Sequence, residues 1–229
     1  MKVGVIFPQT ECGTDVAAIA EFVRAVEAEG FDHLFVADHV LGADPRFHSH
    51  PSLINYSHES VVHESLTLMA YFAAVTRRIT LATGILILPQ RQTVLVAKQA
   101  AEIDVLSGGR LRLGVGVGSR DHAVPPEAAL RRIGRLADGW SPNFTPDDQG
   151  RALVARVHGY AREAGRDPDR IPLEGRIRLA GQSPEGWTKQ VDAWKAIGAA
   201  SVIAEPRGAG LKFPQGHLDV LRRFKDTAV

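Results

Sequence analysis

Short apolar runs of strand character alternate with helix-patterned segments along most of this chain, and that alternation restricts the possible folds more than any other feature. Val3-Gly4-Val5-Ile6-Phe7 is apolar on both faces, as suits a parallel strand buried on both sides, and Pro8 ends it. Thr14 and Asp15 are N-cap types. Val16, Ile19, Val23 and Val26 then recur at helical spacing until Gly30, a residue suited to stopping a helix. Phe31 to Ala37 reads as a second strand, ended by the polar pair Asp38-His39. Strand, helix, strand makes one βαβ unit.

The unit then repeats. After an irregular stretch from Gly42 to Val62, Glu64 to Val75 is helical and Ile79 to Leu88 is a continuous apolar run closed by Pro89. Thr93 is a candidate cap for a helix through Leu106, Gly108-Gly109 stop it, and Arg110 to Gly118 is a fourth strand running into glycine-rich backbone. Pro126 to Leu136, Gln149 to Ala164, Trp187 to Ile197 and Gly216 to Lys225 are helical. Asp138 to Pro142 is a short strand or turn, and Ile171 to Ala180 and Ala200 to Ala204 are strands. About seven parallel strands with right-handed crossovers come near the eight of a (β/α)8 barrel, whose usual size is ~250 residues. The expectation is an α/β fold: an incomplete TIM-type (β/α) barrel forming a single domain over residues 1–229. An open doubly wound sheet carries the same local pattern and stands as the alternative.

Charge and composition remove other classes. Lys plus Arg is 27 against 26 for Asp plus Glu, a net charge of +1, so there is no basic excess of the kind that binds nucleic acid. Hydrophobic residues at 45% and charged residues at 23% describe a folding globular chain rather than a disordered one. The single cysteine, Cys12, excludes an intramolecular disulfide and a cysteine-based zinc site. No apolar run approaches the ~18 residues needed to cross a bilayer, and the N-terminal run is too short for a signal peptide. A cytoplasmic protein is expected.

In a barrel, function sits at the C-terminal ends of the strands. That rule selects Phe7-Pro8-Gln9, Asp38-His39, Thr83-Gly84-Ile85 through Pro89, Gly116-Val117-Gly118-Ser119, Trp140 and Glu205-Pro206-Arg207. A carboxylate beside an imidazole suits acid/base chemistry near neutral pH; the alternative is that Asp38 caps a turn and His39 bonds backbone. Gly114, Gly116 and Gly118 form a G-x-G-x-G series that looks like a nucleotide loop, but a lone glycine pattern is weak and close strand packing or a bulge is the preferred reading. His48, His50, His58 and His63 crowd one loop with Glu59 and Glu64, yet no pair has helical metal-ligand spacing, so a polar active-site loop is preferred to a metal site. The arginines from Arg131 to Arg176, interleaved with Asp138, Asp147, Asp148, Glu163, Asp167, Asp169 and Glu174, read as a solvated helix surface.

Longer motifs carry a family resemblance. Val3 to Pro8, Gly30-Phe31-Asp32 with Val36 to Val40, Ala74-Val75-Thr76 with Ile79 to Ile85, and Ala97 to Gly116 resemble the bacterial-luciferase-like monooxygenase superfamily, in its branch of flavin- or deazaflavin (F420)-dependent oxidoreductases. Ala128 to Arg132 with Leu136 to Trp140, Ala164 to Pro168, and Gly208 to Leu211 with His217 to Phe224 extend the likeness. The resemblance implies F420 or FMN as cofactor, a small organic substrate, and hydride transfer or oxygen activation. It implies His39 as proton donor or acceptor, Asp38 as its orienter, and Phe7, Thr83, Gly84, Ile85, Gly116, Val117, Gly118 and Trp140 around the cofactor. The Thr83-Gly84-Ile85 segment would be a bulge behind the ring, often with a non-prolyl cis peptide. Glu64 is a further candidate, with capping of its own helix as the alternative.

Family members also carry a helix, an insertion and a fifth strand between the Gly116-Val117-Gly118 turn and the helix at Ala128, ending in a glycine pair that helps hold the cofactor phosphate. Here only Ser119 to Glu127 fills that interval, shorter than the ~10–12 residues a βαβ crossover needs. The expected consequences are a barrel short of about one βα unit and a homodimer that covers the exposed edge. A related alternative is a non-catalytic flavin-binding protein, like the nonfluorescent flavoprotein of luminous bacteria, or an inert assembly subunit.

Overall fold

The computed structural model describes residues 1–42, 44–47, 56–118 and 125–229. In chain order the elements are β1 (Lys2–Ile6), α1 (Val16–Ala28), β2 (His33–Val36), α2 (Ser65–Val75), β3 (Thr80–Thr83), β4 (Leu86–Ile87), α3 (Thr93–Ser107), β5 (Leu111–Arg112), β6 (Val115–Gly116), α4 (Glu127–Leu136), α5 (Asp148–Glu163), β7 (Leu173–Arg178), α6 (Pro184–Ala196), β8 (Ala199–Glu205) and α7 (Gln215–Ala228). Strand pairings β1–β2, β2–β3, β3–β5, β4–β6 and β7–β8 are all parallel. Taking β3 with β4 and β5 with β6 as interrupted strands, six strands are present among the described residues. The single bridge of Trp140 to Leu173 adds a seventh position, in line with the expected count. The described residues cluster into two compact units, one drawn from 4–121 and 206–222, the other from 1–3, 122–205 and 223–229.

In the first unit, β1 pairs with β2 in the register Gly4↔His33 to Ile6↔Phe35, and β2 with β3 from His33↔Thr80 to Val36↔Thr83. Asp15 caps α1, accepting from the N–H groups of Ala17 and Ala18, as its type predicts. The helix buries Phe22, Val23 and Val26. Phe7 is fully buried and meets Phe22, Phe72 and Phe213 edge-on at 5.0–6.3 Å between ring centres. Glu27 accepts the N–H groups of Arg77, Arg78 and Ile79, which ties α1 to the turn before β3. The half-buried Arg110 guanidinium donates to the carbonyls of Ala73, Thr76, Ile79 and Ser107 and to the Thr76 hydroxyl, joining α2, β3 and α3.

The apolar run Ile79 to Leu88, expected as one strand, is two. The Gly84–Ile85 peptide is cis, and the chain resumes strand pairing at Leu86↔Val115. The partner strand is interrupted at the matching place: Gly114 O accepts both Thr83 Oγ1 (2.7 Å) and Leu86 N (2.8 Å). A Cβ on Gly114 would stand 2.2 Å from Thr83 O, so only glycine permits this approach. The N-cap of α3 is Gln92 rather than Thr93, and it makes no side-chain capping bond; Thr93 already belongs to the helix. Gly108 and Gly109 end α3 at φ 70° and 80°, as their sequence positions suggest.

In the second unit β7 and β8 form a ladder backed by α6, where Trp194 lies against Gly175 and donates through Nε1 to Arg176 O. Helix α6 begins three residues earlier than expected because Ser183 caps it, accepting from Gly186 N, with Pro184 in its first turn. Leu130, Leu153 and Val157 of α4 and α5 make a second core with Trp140 and Phe144. Among the described residues no helix is long and apolar enough to cross a membrane.

The steric limit at Gly114 gives a direct test. Gly114→Ala forces a methyl group into Thr83 O, and overpacking of this kind costs ~1–3 kcal/mol or more. The melting temperature is expected to fall by roughly 2–12 °C, at about 2–4 °C per kcal/mol for a chain of this size. An unchanged melting temperature would show that the two strands separate freely.

Candidate functional site

The register brings the sequence candidates of the first unit together. Because Val36 pairs with Thr83, the residues after β2 (Ala37, Asp38, His39) run beside Gly84 to Ile87, and β6 runs beside β4. Thr83, Gly84, Ile85, Gly116, Val117 and Gly118 therefore share one strand-end region with Asp38 and His39. Thr83 is buried, its hydroxyl committed to Gly114 O. A Cβ on Gly116 would meet Ile85 Cδ1 at 2.8 Å, so this glycine serves close packing of β6 on the bulge. Gly118 takes a positive φ of 89°, while Val117 is exposed.

Asp38 is the hub of the region. Its side chain is 1% exposed. Oδ1 accepts Arg91 Nη2 (2.6 Å) and Ser65 Oγ (3.0 Å), and Oδ2 accepts Arg91 Nε (2.9 Å) and Ile87 N (2.9 Å). Burial works against the charge of this carboxylate, but the Arg91 fork, the Ile87 N–H and the Ser65 hydroxyl outweigh it and hold its pKa below the ordinary aspartate value. Arg91 Nη2 also reaches Glu64 Oε1 at 2.8 Å. Glu64 caps α2, accepting from Leu66 N and Thr67 N, so both readings of this residue hold at once. Its burial too is overridden by these bonds, and its pKa is lowered.

This corrects the expected role of Asp38. Its carboxylate is directed to Arg91, not to the neighbouring imidazole. The His39 ring lies 4.9 Å from the Tyr56 ring, and its Nε2 is buried without a hydrogen-bonding partner among the described residues. His39 lines a cleft of about 290 Å³ with Glu64, Gln90, Arg91, Leu95 and Gln99. On the floor of the same strand ends, Gln9 donates through Nε2 to Ala37 O and has a buried Oε1 without a partner among the described residues.

Other expectations resolve differently. Phe7, expected to touch a cofactor, is enclosed by the aromatic core and offers no surface. Trp140 belongs to the second unit, where its backbone bridges Leu173 and its ring packs on Phe144. His48, His50 and Ser119 lie outside the described residues. His63 is turned to Gly13 O and His58 to Glu59, and no group of metal-binding side chains assembles among the described residues. Burial pushes the Cys12 thiol up to about 11, leaving it unreactive at neutral pH. Arg176 and Glu174, read as part of a helix surface, stand on β7 instead. Sequence reasoning missed Arg91 and Ser65; the one available signal was a lone arginine just past the Pro89 strand stop.

The model of the family described as luciferase-like monooxygenase matches residues 1–125. An uncharacterized protein of Mycobacterium tuberculosis is 32% identical over 136 residues, which are 55% of this chain and 47% of that protein. The chain thus spans about half the length of the curated relatives it matches. The coenzyme F420-dependent tetrahydromethanopterin reductase of Methanopyrus kandleri shares the fold at TM-score 0.70 and 13% identity, covering 96% of each chain. The oxygenating constituent of 3,6-diketocamphane monooxygenase from Pseudomonas putida, in complex with FMN, aligns at TM-score 0.57 and 14% identity over 83% of this chain and 71% of its own. The fold is thus the α/β, TIM-type (β/α) barrel with an incomplete set of strands, and, with more than half its length matched by the family model, the chain belongs to the luciferase-like monooxygenase family.

Proposed function

We propose that this chain is a flavin- or deazaflavin-dependent oxidoreductase of the cytoplasm, one barrel domain over residues 1–229. It would take FMN or F420 and act on a small organic substrate by hydride transfer or oxygen activation. The observation that carries this reading is His39, whose Nε2 is buried and has no hydrogen-bonding partner among the described residues, beside the Glu64–Arg91 cleft. An unpaired buried polar atom costs about 1–3 kcal/mol, and in a cleft it is met by an ordered water or by a bound group. Family membership supports the reading, as do an F420-dependent reductase and an FMN complex among the structures of this fold.

The residues present fit such a group: Thr83-Gly84-Ile85 and Gly116-Val117-Gly118 would hold it, and His39 Nε2 faces no competing protein partner among the described residues. Trp140 remains a proposed contact. When bound, the flavin or deazaflavin supplies the two-electron redox chemistry. His39 Nε2 would accept or deliver the proton on the substrate side. Asp38 stays ionised through its fork with Arg91, so it carries no proton at neutral pH. It holds Ile87 N–H, and with it the strand beyond the cis peptide, in place. A second reading, a flavin carrier without turnover or an inert assembly subunit, is favoured by the short interval from Ser119 to Glu127.

Equilibrium titration with FMN and with F420, followed by fluorescence, separates an inert subunit from the other two, and turnover of the reduced cofactor separates enzyme from carrier. His39→Ala is expected to lower turnover by ~10²–10⁴ with cofactor affinity nearly intact. An unchanged rate would remove His39 from the chemistry.

Arg91→Met leaves Asp38 buried without its counter-charge and is expected to destabilise the fold by ~3–5 kcal/mol in urea unfolding. In the wild type, the folded Asp38 pKa is depressed. Its contribution is therefore complete above the unfolded value of ~3.9 and is lost as pH falls through the lower folded value. The stability difference between wild type and Arg91→Met should accordingly shrink in strong acid, and a gap independent of pH would contradict this account.

The homodimer is part of the same proposal. Val94, Val105 and Leu106 of α3 and Val115 of β6 are exposed apolar side chains suited to a subunit contact. Light scattering at micromolar concentration should give about twice 24.8 kDa; a stable mass of 24.8 kDa refutes it.

A further inference from the structure

The carboxylate expected to orient His39 is turned away from it, so the imidazole needs another support. An imidazole moves a proton efficiently only when its reacting nitrogen is held in one direction, and rotation about two side-chain bonds otherwise spreads that nitrogen over several. Asp38 commits both oxygens to Arg91, Ser65 and Ile87. The aromatic neighbour of His39 is Tyr56, with 4.9 Å between ring centres and 49° between the planes.

Tyr56 is itself held from a distant part of the chain. Arg207 donates from Nη1 to the Tyr56 hydroxyl at 2.6 Å, across 151 residues of sequence, and its Cζ lies 5.7 Å from the centre of the same ring. A charge-assisted hydrogen bond and a cation–π contact thus act on one side chain. His39, Tyr56 and Arg207 all belong to the first unit. The backbone beneath each holding residue is fixed as well. Ser57, next to Tyr56, lies directly on Gly42, where a Cβ would stand 2.2 Å from Ser57 O. Gly208, next to Arg207, has a φ of 86° and donates its N–H to Glu11 Oε1 at 2.8 Å. The other oxygen of Glu11 is 2.6 Å from Nε2 of the fully buried His217. Arg207 is also a strand-end residue singled out by its place in the sequence, and the proposed reaction gives it no part.

We infer that Tyr56 and Arg207 are positioning residues for His39: Arg207 holds the Tyr56 hydroxyl, and the Tyr56 ring holds the imidazole in one orientation. A ring contact of this kind fixes the imidazole plane without taking a hydrogen bond from it. The orienting role expected of Asp38 passes to a neutral ring pinned by a guanidinium.

Two substitutions break the same bond from opposite ends. Tyr56→Phe removes the hydroxyl and keeps the ring, and Arg207→Met removes the guanidinium. His39 is followed by the nuclear magnetic resonance of its Cε1–Hε1 group in protein with isotope-labelled histidine, assigned with His39→Ala, and the signal of buried His217 is the internal control for an intact fold. The His39 signal is expected to move toward the position of a solvent-exposed histidine, alike in both variants, while the His217 signal stays in place. The double variant should add nothing to either single one, because all three lose one shared contact. Arg207→Lys, whose ammonium still donates to the hydroxyl, should restore part of the shift. If one variant fails to fold, the other decides, since each tests the same bond. A His39 signal unmoved by either substitution, or effects that add in the double variant, overturns the inference.

The kinetic arm rests on the flavin reading above. With reduced cofactor, kcat is expected to fall about tenfold in each variant with KM unchanged, a smaller loss than in His39→Ala. If no cofactor is turned over, or His39→Ala leaves the rate unchanged, while the His39 signal still responds, the positioning stands and the proton-transfer reading of His39 fails. Wild-type kcat in both variants beside a His39→Ala that loses it overturns the positioning role.

Discussion

One buried carboxylate organises the strand-end region of the first unit. Asp38 has almost no contact with solvent, and a charge in that position is tolerated only if it is paired and fully hydrogen-bonded. Four donors meet its two oxygens: two from Arg91, one from the first residue of α2, and one from the backbone of β4. Elements separated by 27 to 53 residues in sequence must therefore arrive together or leave a charge stranded. A buried pair of this sort adds little net stability over an apolar replacement, because desolvation offsets most of the attraction. What it does provide is geometry. Arg91 extends it by taking Glu64, which in turn fixes the start of α2.

Backbone shape is the second constraint. For β3–β4 to bend at Gly84–Ile85 and still pair, β5–β6 must come close with no side chains in the way. Gly114 and Gly116 are the positions where a Cβ would collide. The glycine series that resembles a nucleotide loop is thus explained in large part by strand packing, and only Gly118, with its positive φ, has left the ladder by conformation.

The order and type of nearly every element were legible in the sequence, because burial on both faces and helical periodicity are local signals. Asp15 as a cap, Gly108-Gly109 as a stop and the parallel pairing all follow from residue type and spacing. Failures came where the deciding contact is distant. Nothing near Arg91 announces a carboxylate 53 residues upstream, and nothing near Trp140 separates a ligand contact from a bridge to Leu173. The break in the Ile79 to Leu88 run was invisible to periodicity, since every residue in it except Thr80, Thr83 and Gly84 is apolar. Arg176 was misread because alternation of charge on a strand was counted together with the helices that flank it.

Asp38 and His39 show why adjacency in sequence is a poor guide to partnership in a site. Successive side chains leaving a strand point to opposite sides. Asp38 turns toward Arg91, Ser65 and Ile87, while His39 turns toward Tyr56 and the cleft. A dipeptide that reads as an acid–base dyad therefore separates into a positioning carboxylate and an imidazole whose Nε2 has no protein partner among the described residues.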